Sequence, residues 1–292
     1  MNQIKLGNKK VGEGAGLYFI ADIGANHDGS LERAFRLIEL AKEAGADAAK
    51  FQNFQAKKIV SKVGFDSLGQ LSHQKNWKKS VFDTYADASI SMDWTARLKE
   101  KCDEVGIEYF TSPYDFESVD HVDPFVRLYK IGSGDITWTE MLEYIAKKKK
   151  PVLLATGAST QQEVDIAMAA IEKHNKEIVL MQCNTNYTVD PEKYRFANLN
   201  VLKTFAQKYP RTVLGLSDHT FGHATAVASV ALGATVFEKH FTDDNGRDGP
   251  DHKFAMNPKT WREMVDNCNQ AFLALGDGVK RVEENEIDTA PL

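Results

Sequence analysis

The sequence predicts a single-domain α/β fold, a (β/α)8 TIM barrel. Apolar runs of strand length begin near residues 17, 46, 108, 126, 152, 178, 213 and 234, and helix-period segments fill most of the gaps between them. Strict alternation of β and α units implies a parallel sheet, and eight such units in about 260 residues match a closed barrel. A polar tip follows every one of these runs. A doubly wound open sheet would instead gather its ligand groups at one switch point.

Residues 1–14 alternate apolar and polar side chains, broken by Gly7-Asn8 and Gly12, and predict a short hairpin over one end of the domain. Residues 15–276 make the barrel, and 277–292 a polar tail. Leu17 to Ile23 is the first barrel strand, leading into the polar loop Gly24-Ala25-Asn26-His27-Asp28-Gly29. Ser30 is a candidate N-cap, followed by Leu31, Ala34, Phe35, Ile38 and Ala41 at helical spacing up to Gly45. Ala46 to Phe51 is the second strand. Residues 53–92 lack a clear period and carry Lys57, Lys58, Lys75, Trp77, Lys78 and Lys79; segments of this length are usually functional or mobile. A helix over 93–105 turns Leu98 and Cys102 inward. Strands follow at Glu108 to Ser112, stopped by Pro113, and at Phe125 to Ile131. A helix from Glu140 to Ala146 runs into Lys147 to Lys150, where positive charge suits the helix dipole. Pro151 opens the strand Val152 to Ala155. Helices over 163–174, 199–209, 225–233 and 258–275 then alternate with a strand at 178–183, one opening at Val213-Leu214 and running into the polar tip Gly215 to Thr220, and one from near 234 to Thr242.

The chain is 42% hydrophobic and 26% charged, which places it among globular chains with a large core. A formal net charge of −5 argues against a nucleic-acid partner but permits an anionic substrate, because a few lysines focused in a cleft outweigh distant acids. Cys102, Cys183 and Cys268 are far apart with no CxxC, so a reducing, cytoplasmic setting is expected. The N-terminus lacks the apolar core of a signal peptide. No apolar run approaches the roughly 20 residues of a membrane span, so no membrane partner is expected.

The strand tips offer Asp22 with Asn26 and His27, Lys50 with Gln52, Thr111 and Ser112, Lys130 with Ser133, Thr156-Gly157, Asn184-Thr185-Asn186-Tyr187, Ser217-Asp218-His219, and Glu238-Lys239-His240. In a barrel they converge on one face. His219 and His240 end successive strands about 4.8 Å apart, so both imidazoles can reach one metal ion; spacing alone leaves a structural, hydrogen-bonded role equally open. Two imidazoles suit Mn²⁺, Fe²⁺, Co²⁺ or Zn²⁺ better than Ca²⁺ and leave coordination positions free, as in catalytic sites. Lys50 and Lys130 end apolar strands, where an unpaired ammonium is costly. Either they pair with Asp22 or Glu238, or they hold a phosphate and a carboxylate together with nearby hydroxyls. Gly132-Ser133-Gly134 and Thr156-Gly157 can offer backbone N–H groups to the same anion.

At these residues the chain resembles the sialic acid (N-acetylneuraminate) synthase family. The matching motifs are Phe19-Ile20-Ala21-Asp22-Ile23-Gly24-Ala25-Asn26-His27-Asp28-Gly29, Lys50-Phe51-Gln52, Thr111-Ser112-Pro113, Tyr129-Lys130-Ile131-Gly132-Ser133-Gly134, Ala155-Thr156-Gly157, Gly215-Leu216-Ser217-Asp218-His219-Thr220, Glu238-Lys239-His240-Phe241-Thr242 and Gly249-Pro250-Asp251-His252. The resemblance implies condensation of phosphoenolpyruvate with an aldose, N-acetylmannosamine or a related sugar, to a nonulosonic or other ulosonic acid plus phosphate. It implies a homodimer, and His219 and His240 as ligands of a divalent metal, Mn²⁺ first, with Mg²⁺ or Co²⁺ as alternatives. Lys50, Lys130, Ser133 and Ser217 match residues that hold phosphoenolpyruvate, and Ser112 falls where a threonine commonly helps. Gln52, Tyr187 and Asp251 match residues near the sugar, and Thr185 is added from the strand tip between them. Asp22 stands where the family usually has a glutamate, as the acid-base or sugar-orienting group, and Ala155 and Ala255 stand in place of common serines. The end at residue 292 implies that the family's C-terminal antifreeze-like domain is absent. Two other readings stay open: another barrel aldolase or lyase using a different anionic enol, and a non-catalytic sugar- or phosphate-binding barrel.

Overall fold

The computed structural model describes residues 2–59, 61, 64, 79–187 and 189–289. Strands β1 (Gln3–Leu6) and β2 (Lys9–Gly12) form an antiparallel hairpin. Eight parallel strands then close a barrel: β3 (Tyr18–Asp22), β4 (Ala48–Asn53), β5 (Glu108–Pro113), β6 (Tyr129–Ile131), β7 (Val152–Ala155), β8 (Ile178–Cys183), β9 (Val213–Asp218) and β10 (Ala234–His240). Each pairs with the next in the chain, and β10 closes on β3. Every residue of β3, β5, β7, β8, β9 and β10 is buried. That is the signature of parallel strands held between an inner core and an outer helical layer, and it is why they read as apolar runs.

The outer helices form where caps and periodicity agree. Ser30 Oγ accepts from Arg33 N at the start of the helix Leu31–Glu43, which buries Leu31, Ala34, Leu37, Ile38 and Ala41; Leu37 takes the core position that spacing suggested for Phe35. A complete capping box of Thr160 and Glu163 starts the helix Gln161–Glu172. Asn257 and Thr260 do the same for the helix Pro258–Ala274.

Two stretches differ from the sequence reading. Within 53–92 lie the helices Ala56–Ile59 and Val81–Ala88, while Lys75, Trp77 and Lys78 lie outside the described residues. Between β5 and β6 a helix, Phe116–Val122, was not foreseen; it is capped by Asp115 and is only 7 residues long, too short to display a period. The strand expected from Phe125 shrinks to Tyr129–Ile131, because Pro124 sits in a 3-10 turn, Asp123–Phe125. Its ring removes a backbone donor and fixes φ.

The hairpin plugs the barrel's amino-terminal end, opposite the polar tips. Leu6 and Val11 are fully buried. Strand β2 touches β9 and β10, and Lys9 Nζ lies 2.9 Å from Asp47 just before β4. Residues 277–289 are exposed along their length. Among the described residues no helix is long and apolar enough to cross a membrane.

Gly215, in the middle of β9, permits a close approach to β10. A Cβ there would lie 2.8 Å from the Val236 carbonyl oxygen and 3.1 Å from Met181 Cγ. Gly215→Ala is therefore expected to wedge β9 from β10 and cost roughly 1–3 kcal/mol, as overpacking does. Urea denaturation checks this, and a midpoint equal to that of the parent would show that the strands yield freely.

Candidate active site

Side chains alternate across a strand, and the alternation sorts the polar tips into two groups. One group faces the helices. Thr111 Oγ1 donates to Asn53 Oδ1 at 2.7 Å, Thr156 Oγ1 to the Met181 carbonyl at 3.0 Å, and Asn26 Nδ2 to the Phe241 carbonyl at 2.9 Å. Asp218 and Lys239 pair with each other at 2.5 Å. These groups hold strand ends together and do not reach the barrel mouth.

The second group makes an ionic mesh inside the mouth. The strand register places Asp22 beside His240 on one side and Lys50 on the other. Lys50 Nζ lies 2.8 Å from Asp22 Oδ2 and 3.5 Å from Glu238 Oε1, and Lys130 Nζ lies 3.2 Å from Glu238 Oε2. Gln52 Nε2 donates to the same Asp22 oxygen at 3.3 Å, and His240 Nε2 stands 3.6 Å from it. The acid partners anticipated for the two lysines are thus the observed ones. Burial alone would push the Asp22 carboxyl up; the Lys50 ammonium, then His240 and Lys130, outweigh it and hold it below the usual carboxylate range. Burial likewise works against the Lys50 ammonium, and Asp22 and Glu238 reverse this and raise it. Among the described residues, Asp22 Oδ1 and His240 Nδ1 are buried without a hydrogen-bond partner, and Glu238 Oε2 has only its ion pair with Lys130. Such spare capacity in a polar mouth is what a bound ligand would take up.

Beside the mesh lies the histidine pair. His219 Nδ1 is 2.9 Å from the Asn184 carbonyl oxygen, which requires the proton on Nδ1 and leaves the Nε2 lone pair free in the neutral ring. The His219 and His240 ring centroids are 5.5 Å apart. Tyr187 packs at 4.4 Å from His219, and Phe254 at 5.2 Å from His240. Asp251 returns from the loop after β10 to place Oδ2 3.6 Å from His240 Nδ1 and 3.4 Å from the Ala25 amide. Two imidazoles at this spacing, one with its tautomer fixed and the other with an unpartnered nitrogen, fit a divalent metal held by two protein ligands. Among the described residues no group of three or more His, Cys, Asp or Glu side chains is arranged to hold a metal.

The remaining candidates lie across the mouth. Gly157 N donates to Ser133 Oγ at 2.9 Å, so this N–H orients a hydroxyl instead of being free for an anion as the sequence suggested. A Cβ on Gly157 would lie 2.5 Å from Thr185 Cγ2, 2.9 Å from Ser133 Oγ and 3.0 Å from Cys183 Sγ; Ser133, Thr185 and Cys183 therefore converge on one point. Ser217 is paired with Glu238 and Cys183 across the sheet, and Ser112 with Gln52. Both serines are buried. The structure thus brings all the sequence-derived candidates to the carboxyl end of one barrel.

A protein-family model described as the NeuB family matches residues 37–280. The chain belongs to the NeuB family. An N,N'-diacetyllegionaminic acid synthase of Legionella pneumophila is 34% identical over 290 residues, covering 96% of this chain and 79% of that protein. The human N-acetylneuraminate-9-phosphate synthase is 32% identical over 266 residues, covering 91% and 73%. Among solved structures, the N-acetylneuraminic acid (sialic acid) synthetase of Leptospira borgpetersenii, in complex with citrate, matches with a TM-score of 0.85 at 28% identity, covering 98% of this chain and 94% of that one.

Within this NeuB-family mouth, Glu238 was foreseen only as a partner for the lysines, and three contributors, Cys183, the Asn184 carbonyl and Phe254, escaped the sequence reading as site residues. Glu238 bridges both lysines; its shared parity with His240 was the available signal. Cys183 lies 3.8 Å from His219 Nδ1. Burial would raise its thiol, but His219, Ser133 and Lys130 together reverse this and lower it. The Asn184 carbonyl and the Phe254 ring carry no pattern in sequence.

Asp135 follows Lys130 at the rim. Burial pushes its carboxyl up to about 6, with Lys130 pulling the other way. A folded value above the unfolded one means that the folded state keeps a proton the unfolded state has released. Stability is then lost as pH rises through about 6. Asp135→Asn is expected to raise the melting temperature more at pH 8 than at pH 4. Equal gains at the two pH values, in paired thermal scans, would show that Asp135 ionises freely in the fold.

Proposed function

We propose that this NeuB-family barrel condenses phosphoenolpyruvate with the open-chain form of an aldose, N-acetylmannosamine or a related aminosugar, giving a sialic-acid-like ulosonic acid and phosphate. The observation that carries the reading is the position of Asp22. Its Oδ2 is 2.8 Å from Lys50 Nζ and 3.6 Å from His240 Nε2, so a cationic side and an imidazole side meet at one carboxylate. Relatives named as legionaminic and N-acetylneuraminate-9-phosphate synthases support the product class.

On the cationic side, the phosphate and carboxylate of phosphoenolpyruvate take over Lys50 and Lys130 from Asp22 and Glu238. Charge-assisted hydrogen bonds of this kind are stronger than neutral ones. Ser133, Ser217, Ser112 and Thr185 add hydroxyls around the anion. On the other side, Gln52, Tyr187, Asp251 and Phe254 shape the space for the sugar. His219 and His240 hold a divalent metal, Mn²⁺ first with Mg²⁺ or Co²⁺ as alternatives, which when bound supplies Lewis acidity toward the aldehyde oxygen. C3 of phosphoenolpyruvate attacks the aldehyde carbon, whose oxygen takes up a proton to become a hydroxyl; water adds at the former C2 with loss of a proton, and the hemiketal phosphate collapses to the 2-keto acid as its C–O bond to phosphate breaks. Asp22, released from Lys50 by the bound anion and still facing His240 Nε2 at 3.6 Å, suits accepting at Oδ2 the proton that the water gives up.

The deciding experiment supplies Mn²⁺, phosphoenolpyruvate and a panel of aldoses with and without acylamino groups. One phosphate released per 2-keto acid, identified by mass, is the expected result. Phosphoenolpyruvate binding with no phosphate release from any sugar would replace the synthase by a binding barrel. Two variants test the roles. Lys130→Ala removes a charged hydrogen bond worth about 1.5–3 kcal/mol, so KM for phosphoenolpyruvate is expected to rise roughly 10- to 100-fold; an unchanged KM refutes that role. His240→Ala is expected to lower kcat at least about 100-fold and remove the response to added Mn²⁺. Full parental turnover in chelated buffer would sink the metal's part.

A further inference from the structure

We propose that Asp218 and Lys239 are positioning residues that set the separation of His219 and His240 from behind the mouth, and so set the barrel's affinity for a divalent metal. The inference rests on the metal-dependent reading above. Neither residue reaches the mouth. Each is the chain neighbour of one histidine, and the alternation that turns His240 inward turns Lys239 outward. Asp218 and Lys239 stand opposite each other in the β9–β10 ladder.

The contacts close a ring around His219. Lys239 Nζ donates to Asp218 Oδ2 at 2.5 Å and to the Thr220 carbonyl at 2.6 Å. Residues 218 and 220, on either side of His219, are therefore both bonded to the residue that precedes His240. Asp218 Oδ1 accepts from the Thr220 amide at 3.0 Å, and Oδ2 also accepts from Thr220 Oγ1 at 3.0 Å and Thr225 Oγ1 at 2.5 Å. The Asp218 carboxylate is thus supplied with donors on both oxygens, and the pair's side chains are only 5% and 1% exposed. His219 is the first residue past the last position of β9, so its backbone leaves the strand at the point this ring encloses. The Asn184 carbonyl fixes the ring of His219 at Nδ1; the Asp218–Lys239 pair fixes where its Cα stands relative to His240.

A buried ion pair is a weak source of net stability, and apolar side chains could fill this space. Its distinct property is directional. An ammonium with two fixed acceptors allows one placement of the 218–220 segment, whereas an apolar contact allows several. Partners behind metal ligands typically change metal affinity 10- to 100-fold when removed.

The test compares two binding constants on the full chain. Mn²⁺ affinity is measured by calorimetry, and phosphoenolpyruvate affinity by calorimetry in chelated buffer, with thermal melting as the check of folding. Lys239→Met is expected to weaken Mn²⁺ binding about 10- to 100-fold and leave phosphoenolpyruvate affinity within about twofold, since Lys50 and Lys130 are untouched. That variant strands a buried carboxylate, so the neutral pair Asp218→Asn with Lys239→Met is made alongside it and carries the same expectation if the single variant does not fold. Unchanged Mn²⁺ affinity, or parallel loss of both ligands, overturns the positioning role and leaves the pair as a fold element only. Absence of Mn²⁺, Mg²⁺ and Co²⁺ binding in the parent protein overturns the metal reading itself, and the positioning role with it.

Discussion

Everything at the mouth depends on two ammonium groups held where water is scarce. Lys50 and Lys130 are only 2% and 4% exposed, and an isolated charge so placed would shed its proton or open the fold. Asp22 and Glu238 supply the counter-charge. The four groups neutralise one another, and Asp22 Oδ1 is left buried without a hydrogen bond. The result is a buried, charged cluster in which each ammonium faces at least one carboxylate.

The barrel was legible because burial on both faces leaves little freedom in composition. Strands such as Val152–Ala155 and Ile178–Cys183 are almost purely apolar, and the polar residues that interrupt the pattern cluster at their ends. What stayed hidden was short or non-periodic. The helix Phe116–Val122 spans two turns at most, and the 3-10 turn at Pro124 takes the first residue of an expected strand whose ladder starts only at Tyr129. Local pattern cannot show this, because the length of β6 is set by where the chain must return to the sheet.

The site was legible in a different way. Residue types at strand ends pointed to Asp22, Lys50, Lys130, His219 and His240 and offered Asp22 or Glu238 as partners for the lysines, but did not show which lysine meets which acid. Glu238 reads in sequence as one acid among three polar neighbours, and only register shows it reaching both lysines. Asp251 approaches His240 and the Ala25 amide from a loop, a contact that depends on the path of the backbone and leaves no periodic trace. The reverse error also occurred. Gly157 looked like a free donor for an anion, and its N–H is engaged by Ser133.

The pairing of β10 with β3 has a consequence for the order of events in synthesis. Asp22 and His240 are opposite each other in that seam, so the carboxylate and the imidazole come from the first and last staves of the cylinder. A nascent chain emerging from the ribosome carries both lysines long before it carries either histidine. Until the final stave docks, the ammonium groups lack Glu238 and the half-built cylinder has two open edges. Long-range closure of this kind is slow relative to local structure formation. The residues of the mouth therefore come together only when the last strand closes on the first.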